Sequence, residues 1–226
     1  LSPATGYHTM PTLHSMGSGT GLAGGFAKLG QFGLDQPILT VCGDSTFYHA
    51  VIPALINAQH NRADITFIVL DNAGTAMTGF QPHPGLSVSA LKDVVPAVDI
   101  AAICKAIGAK VAISDPFDLA ATGRILTSFL ADKGSLKVLI LRQACALSPE
   151  KKGKKTFDIK VDEALCLGDA CGCNRLCTRI FRCPALTWDR DKKKAVVDEV
   201  ICAGCGVCAS ICPQQAIVKT EVITPG

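Results

Sequence analysis

"PILTVCGDSTFYHAVIPALINAQHNRADITFIVLDN", residues 37–72, decides the fold. "PILTVCGD" (37–44) is a short apolar run closed by an acidic turn, and "ADITFIVLDN" (63–72) is a second apolar run that again ends in polar residues. Between them "FYHAVIPALINAQHNR" (47–62) has helical periodicity, with a bend expected at Pro53, which lacks an intrahelical donor. Strands that are apolar throughout and alternate with helices form a parallel sheet covered on both faces. Upstream, the Gly- and Ala-rich "SMGSGTGLAGGFAKLGQFGL" (15–34) predicts a closely packed helix. Downstream, "AGTAMTGFQPHPG" (73–85) reads as a loop, with three glycines, two prolines and little periodicity. A helix near 97–108, a strand at 110–113, a helix at 117–131 and a strand at 136–142 continue the alternation.

The alternation stops at "SPEKKGKKTF" (148–157), a charged stretch with no apolar face. The expected organisation is an α/β domain over 1–147, a solvated linker over 148–160 and a small α+β domain over 161–226. With 48% hydrophobic residues the chain can bury a full core, and a formal charge of +3 gives no reason to expect nucleic acid. No apolar run is long enough for a membrane span and no signal peptide is visible. The chain starts at Leu1, directly in patterned sequence, which leads us to expect a further upstream part.

Twelve cysteines are unevenly placed: Cys42, Cys104 and Cys145 are scattered, and nine fall between 166 and 212. Cysteines clustered beside a large apolar α/β portion point to metal in a reducing cytoplasm rather than to a disulfide scaffold. "ICAGCGVCASICPQQAI" (201–217) contains C-x2-C-x2-C-x3-C-P, an iron–sulfur ligand run. The tail also repeats itself: "VDEALC" (161–166) matches "VDEVIC" (197–202), and "CPAL" (183–186) matches "CPQQAI" (212–217). Two copies of one unit suggest a two-cluster ferredoxin-like fold, in which each [4Fe–4S] cluster takes three cysteines from one run and the fourth from the other. That assigns Cys202, Cys205, Cys208 and Cys183 to one cluster. The first run, "CLGDACGCNRLCTRIFRCP" (166–184), is irregular and offers Cys166, Cys171, Cys173 and Cys177 for three places beside Cys212. Repeat alignment selects Cys166 and Cys177; the middle ligand is Cys173 or Cys171, with Cys173 preferred because Gly172-Cys173 mirrors Gly204-Cys205. Zinc binds C-x2-C pairs, but in fingers built from two pairs rather than a four-cysteine run closed by proline.

The body carries a second constellation. "CGDSTF" (42–47) and "LDNAGTAMTG" (70–79) sit at the carboxyl ends of two expected parallel strands, where open α/β sheets bind ligands. The Asp44 carboxylate, the Asn72 amide oxygen and nearby carbonyls are hard oxygen donors suited to Mg²⁺, which would in turn hold a diphosphate. Gly43 lets a phosphate approach the backbone.

The G-D-S and D-N elements are similar to the thiamine diphosphate motif, G-D-G followed after a spacer by N. "GDSTFYHAVIPALINA" and "DNAGTAMTGFQPHPG", with the cysteine-rich tail behind them, resemble the alpha subunits of indolepyruvate:ferredoxin oxidoreductases, within the 2-oxoacid:ferredoxin oxidoreductase family. The resemblance covers nearly the whole chain and departs from the pattern at Ser45, where many thiamine enzymes have Gly, and in the first cysteine run. It implies a thiamine diphosphate-binding fold with Asp44, Asn72 and the Gly74 carbonyl as Mg²⁺ ligands and Ser45 and Thr46 near the diphosphate. It further implies that Thr75, Met77 and Thr78 line the cofactor and that His49 and His83 face the reaction pocket. A satisfied core histidine is the plain alternative for His49, a structural one for His83 between two prolines, and core packing for Met77. The implied reaction is oxidative decarboxylation of a 2-oxoacid, an aryl pyruvate by preference and an aryl glyoxylate as the alternative, to acyl-coenzyme A and carbon dioxide. Electrons would leave through the clusters to ferredoxin or a partner subunit. Thiamine catalysis also needs a Glu on the aminopyrimidine ring, and no second α/β domain is present to supply it. The pyrimidine-binding half would come from another part of the polypeptide or another subunit, alongside a gamma- or beta-type oxidoreductase subunit. The rivals are a non-oxidative thiamine decarboxylase or carboligase with a redox tail, and an electron-transfer subunit with a degenerate α/β scaffold.

Overall fold

The computed structural model describes residues 14–148 and 154–222. The chain divides into two units, Leu1–Pro116 with Ala120–Ala144, and Phe117–Leu119 with Cys145–Gly226. The first is built on α1 (Ser18–Phe26), β1 (Ile38–Gly43), α2 (Asp44–Thr46), α3 (Ile52–His60), β2 (Ile65–Asp71), α4 (Ile100–Ile107), β3 (Lys110–Ser114), α5 (Leu119–Ala131) and β4 (Leu136–Arg142). Its four strands are all parallel, in the order β1-β2-β4-β3. Ile65, Phe67 and Val69 of β2 and Leu136, Val138 and Ile140 of β4 point to one face, where they pack against Phe47, Val51, Leu55, Ile100 and Cys104. Residues on the other face, Thr66, Leu139 and Lys137, are also buried, so both faces are covered as the unbroken apolar runs require. The Lys137 ammonium is satisfied by the Asp64 carboxylate and the Asp132 carbonyl.

Two expected helices differ in detail. The single helix over 15–34 ends at Phe26, and a separate 3₁₀ turn spans Leu29–Phe32 before Gly33 takes φ +91. Gly24 and Gly25 weaken the helix at that end, since glycine gives up the most backbone freedom there. Close packing at its start is real: a Cβ on Gly17 would lie 2.5 Å from the Ala50 Cβ, and one on Gly19 2.8 Å from Thr40 Oγ1. Pro53 lies within an unbroken helical path over 44–60. It sits in the first turn of α3, where its missing N–H costs nothing, and the chain reaches it through a π turn at Phe47–Val51.

The second unit contains two antiparallel pairs, β5 (Phe157–Val161) with β8 (Ile217–Glu221) and β6 (Leu186–Asp189) with β7 (Lys194–Val197), and one short helix, α6 (Val207–Ile211). Residues 149–153 of the expected linker lie outside the described residues, and its last four residues are not linker but the start of β5. Phe157, Ile159 and Val161 alternate with Asp158 and Lys160 and pack in the small core with Leu186 and Ile217. The charges of the preceding stretch hid this two-residue period.

The Asp99 side chain caps α4 by accepting the Ala101 and Ala102 N–H groups. Asp99→Ala is expected to cost about 1 kcal/mol in urea denaturation. Burial pushes the Cys104 thiol up from 9.0 to about 12, with the Asp99 carboxylate adding to the shift. The folded thiol keeps its proton where the unfolded thiol loses it, so stability should fall as pH rises from 9.0 towards about 12. Iodoacetamide should leave Cys104 unmodified at pH ~8 until the chain is unfolded.

Candidate functional site

Parallel pairing sets Gly43 of β1 opposite Leu70 of β2, so the turns that follow the two strands leave the same sheet edge side by side. Asp44 begins the helical path after β1 and is buried. Its Oδ1 accepts the Ser45 N–H at 2.8 Å. Its Oδ2 reaches 28 residues along the chain to accept the Asn72 N–H at 3.1 Å, and also accepts the Gly74 N–H at 3.3 Å. Asn72 Oδ1 is buried with no hydrogen-bond partner. An amide oxygen buried and left open beside a carboxylate fits a cation, which is the group that would satisfy it. Gly43 is extended, and the space where its Cβ would stand is open, leaving room for a phosphate against the strand end.

His83 is brought to the same place: Nε2 lies 3.0 Å from Asp44 Oδ2. The distance is that of an ion pair, but Nε2 has no partner in hydrogen-bonding geometry, so the contact is electrostatic rather than a formed hydrogen bond. Nδ1 accepts the Gly85 N–H at 3.1 Å, which leaves Nε2 to carry the ring proton. Tyr48 stacks on the imidazole with ring centroids 5.5 Å apart, and its hydroxyl donates to the Val98 carbonyl. Burial pushes the Tyr48 phenol up to about 12, with Asp71, Asp99 and Asp44 adding to the shift, so it remains a neutral donor. A Cβ on Gly85 would fall 2.5 Å from the Tyr48 hydroxyl and 3.0 Å from the His83 ring, so only glycine fits.

Tyr48 and Gly85 are absent from the sequence-based assignment. No local pattern links these residues to His83; the contacts form only when the loop folds back. The remaining expected residues are spread across this edge. Thr46 is buried, Ser45 and Thr75 are half-buried, and Met77, Thr78 and His49 are exposed. Thr75 pairs with Gln81 across the loop and Thr78 Oγ1 bonds Gln81 Oε1 at 2.6 Å, closing the 75–81 turn on itself. His49 is therefore not a satisfied core residue, and Met77 is not core packing. Cys42 lies two residues before Asp44, yet burial, Asp44 and Cys104 push its thiol up to about 12, which keeps it un-ionised.

In the tail the sequence repeat is a structural repeat. Asp162 Oδ1 accepts the Ala164 and Leu165 N–H groups, and Asp198 Oδ1 accepts those of Val200 and Ile201. The two turns then deliver Cys166 and Cys202, whose N–H groups each donate at 2.9 Å to the carbonyl of their own aspartate. The copies are also reciprocal: Asp162 N–H donates to Ala216 O and Asp198 N–H to Ala185 O, both at 2.8 Å. Each aspartate turn is thus tied to the segment after the other run's last cysteine. Cys208 is buried, and burial pushes its thiol up to about 11, with the nearby Cys205, Cys183 and Cys202 adding to the shift. Cys177 has Cys173 and Cys212 as neighbours. Burial raises the Cys173 thiol, but the Leu176 and Arg175 N–H groups and the Cys171 thiol outweigh it and hold Cys173 below the ordinary value. Cys171, bonded to Cys173, is shifted upward by that bond. Thr178 Oγ1, beside Cys177, is a buried hydroxyl that no protein group satisfies. Among the described residues no three His, Cys, Asp or Glu side chains converge on a single metal ion.

Residues 1–138 match the family described as thiamine pyrophosphate enzyme, C-terminal TPP binding domain, and residues 195–218 match the 4Fe-4S binding domain. The chain belongs to the thiamine pyrophosphate enzyme family through that C-terminal TPP-binding domain. Among curated proteins it is similar to indolepyruvate oxidoreductase subunit IorA of Thermococcus kodakarensis, 42% identical over 80% of this chain and 28% of the relative. The subunit of the same name from Pyrococcus horikoshii is 37% identical over 94% of this chain and 34% of its own length. The chain therefore spans about a third of the length of the relatives it matches. Of solved structures, benzoylformate decarboxylase from Polynucleobacter necessarius aligns over 57% of this chain and 24% of its own with a TM-score of 0.42 at 20% identity.

A Cβ on Gly204, which holds φ +67, would lie 2.6 Å from the Phe157 carbonyl. Gly204→Ala should therefore displace the loop between Cys202 and Cys205 and lower the iron bound per chain after anaerobic purification, without loss at Asp44's edge of the sheet.

Proposed function

We propose that this chain is the diphosphate-binding and electron-relay portion of a thiamine diphosphate-dependent 2-oxoacid oxidoreductase. The observation that carries the reading is the orphaned Asn72 Oδ1 beside the buried Asp44 carboxylate, in a chain whose tail brings Cys183, Cys202 and Cys205 near Cys208, and Cys173 and Cys212 near Cys177. Mg²⁺ would be held by Asp44, Asn72 and the Gly74 carbonyl. The diphosphate would lie against Gly43, Ser45 and Thr46, with Thr75, Met77 and Thr78 along the cofactor. Thiamine diphosphate supplies an electron sink that makes loss of carbon dioxide from a 2-oxoacid possible.

The chain's own contribution is placement. Asp44 joins the two strand-end loops, so the oxygen donors keep fixed positions. His83 holds a proton at Nε2 next to that carboxylate, and Tyr48 and Gly85 fix the ring. His49 and Met77 are open to a covering partner, which fits completion of the site by a pyrimidine-binding half from elsewhere in the polypeptide or another subunit.

In the tail, Cys183, Cys202, Cys205 and Cys208 would hold one [4Fe–4S] cluster and Cys166, Cys173, Cys177 and Cys212 the other. The lowered Cys173 and raised Cys171 support Cys171 as the surplus thiol. Clusters held by these cysteines would supply one-electron transfer towards ferredoxin or a partner subunit of the gamma or beta type. The substrate class is an aryl pyruvate such as indolepyruvate, in line with the names of the relatives, and coenzyme A is the acyl acceptor of this proposal.

The complete complex, assayed without oxygen with an aryl pyruvate, coenzyme A and a viologen dye, should reduce the dye only when thiamine diphosphate is present. Absence of dye reduction across several 2-oxoacids rejects the reading, and aldehyde formation without an acceptor points to the non-oxidative rival. Asp44→Ala should abolish turnover and leave iron per chain unchanged; loss of iron would show that the two sites are not independent.

A further inference from the structure

The two cysteine runs are copies, so each serves as a control for the other. They differ in charge. The second run, 202–212, has no ionisable residue other than its cysteines; the first, 166–183, carries Arg175, Arg179, Arg182 and one acid, Asp169. They differ in exposure as well. Gly204, Gly206, Val207 and Cys208 are buried in the second run, whereas between 167 and 182 only Gly168 is buried. The charged residues fall in segments that are longer in the first run than in the second: eleven positions separate Cys166 from Cys177, but six separate Cys202 from Cys208, and the stretch from Cys177 to Cys183 is also longer than that from Cys208 to Cys212.

The arginines form one ordered surface. Arg175 pairs with Asp169 at 2.8 Å and lies over the Trp188 ring at 4.1 Å. Arg179 donates to Asn174 Oδ1, and Arg182 Nε donates to the Arg179 carbonyl at 2.8 Å. Gly168, Asp169, Asn174, Arg175 and Arg179 border a recess of about 230 Å³, with Asp169 already paired to Arg175. Leu167 and Ile180, 51% and 53% exposed, interrupt the charges with apolar area. A basic rim with exposed apolar side chains, next to the more open of two cysteine centres, has the composition of a transient protein interface steered by charge.

We infer that the first-run surface, Arg179 and Arg182 above all, docks an acidic one-electron carrier protein, and that electrons leave the chain from the first-run centre and not the second. The inference rests on the oxidoreductase reading above and names its exit. In the transfer one electron passes from the reduced first-run cluster to the carrier's oxidised centre; the cluster is oxidised, the carrier reduced, and no bond is made or broken. Opposite charge raises the encounter rate and falls off with salt, while the uncharged second run offers no such attraction.

The test uses the whole complex and a small acidic ferredoxin. Binding of oxidised ferredoxin to the resting complex, measured by calorimetry at low salt, should weaken about tenfold or more in Arg179→Glu/Arg182→Glu. It should also weaken in the native complex as salt rises from ~20 to ~200 mM. Viologen reduction and iron per chain should be unchanged. Lys219→Glu, a basic residue whose side chain lies near Gly206 of the second run, should leave ferredoxin binding unchanged. If the double variant loses iron, the milder Arg179→Gln/Arg182→Gln is measured in its place with the same expectation. Unchanged ferredoxin binding in both, weakening in Lys219→Glu instead, a rise in KM for coenzyme A alone, or dissociation of a partner subunit overturns the docking assignment. Loss of viologen reduction in the native complex would instead reject the oxidoreductase reading itself, so the two failures are distinct.

Discussion

The structure depends on one carboxylate. Asp44 is taken out of water at the end of β1 and is satisfied by three backbone N–H groups, two of which belong to the loop after β2. Burying a carboxylate without partners is costly, so these donors cannot be released without penalty, and the loop carrying Asn72 and Gly74 is held to the strand that carries Gly43. The constraint works because the two strands are parallel neighbours in register, which places both loops at one sheet edge. Everything else at that edge is arranged around it: His83 faces Oδ2, Tyr48 supports His83, and Gly85 leaves them space.

The tail reaches a comparable result by reciprocity. Neither copy of the repeat stands alone. The bonds Asp162 to Ala216 and Asp198 to Ala185 tie each copy's turn to the other's final cysteine segment, and the pairs β5–β8 and β6–β7 close the arrangement. The cost is that the unit has a small apolar core, with Ile159, Leu186, Cys208 and Ile217 at its centre and further cysteines packed around it. Such a core gains much of its stability from whatever its sulfurs bind.

The parts of the fold that were legible in the sequence were those written in a local period. β1, β2 and β4 are unbroken apolar runs, and their polar ends marked Asp44 and Asn72 before any geometry was known. The repeat suggested Cys183 and Cys212 as exchanged ligands, and Cys183 lies near Cys208 and Cys212 near Cys177. What was hidden depends on contacts between distant residues or on competing local signals. Tyr48 and Gly85 act on His83 across 35 and 2 positions and share no pattern. The π turn before Pro53 is a compromise between a helix that begins at Asp44 and a proline that has to lie in a first turn. β5 carries a clean alternation, but lysines directly before it made the stretch look like linker. The surroundings of Cys171 and Cys173, which share a hydrogen bond, were likewise hidden, because the Leu176 and Arg175 N–H groups reach Cys173 only in the folded loop.

The central claim is that Asp44 and Asn72 form a cation seat for a diphosphate. Mn²⁺ can replace Mg²⁺ and reports its own ligands by electron paramagnetic resonance. In the complete complex supplied with thiamine diphosphate, the account predicts one tightly held Mn²⁺ per chain with hyperfine coupling to phosphorus, and loss of that signal in Asn72→Ala. A complex that binds thiamine diphosphate but shows no phosphorus-coupled Mn²⁺, or keeps it when Asn72 is removed, would contradict the account.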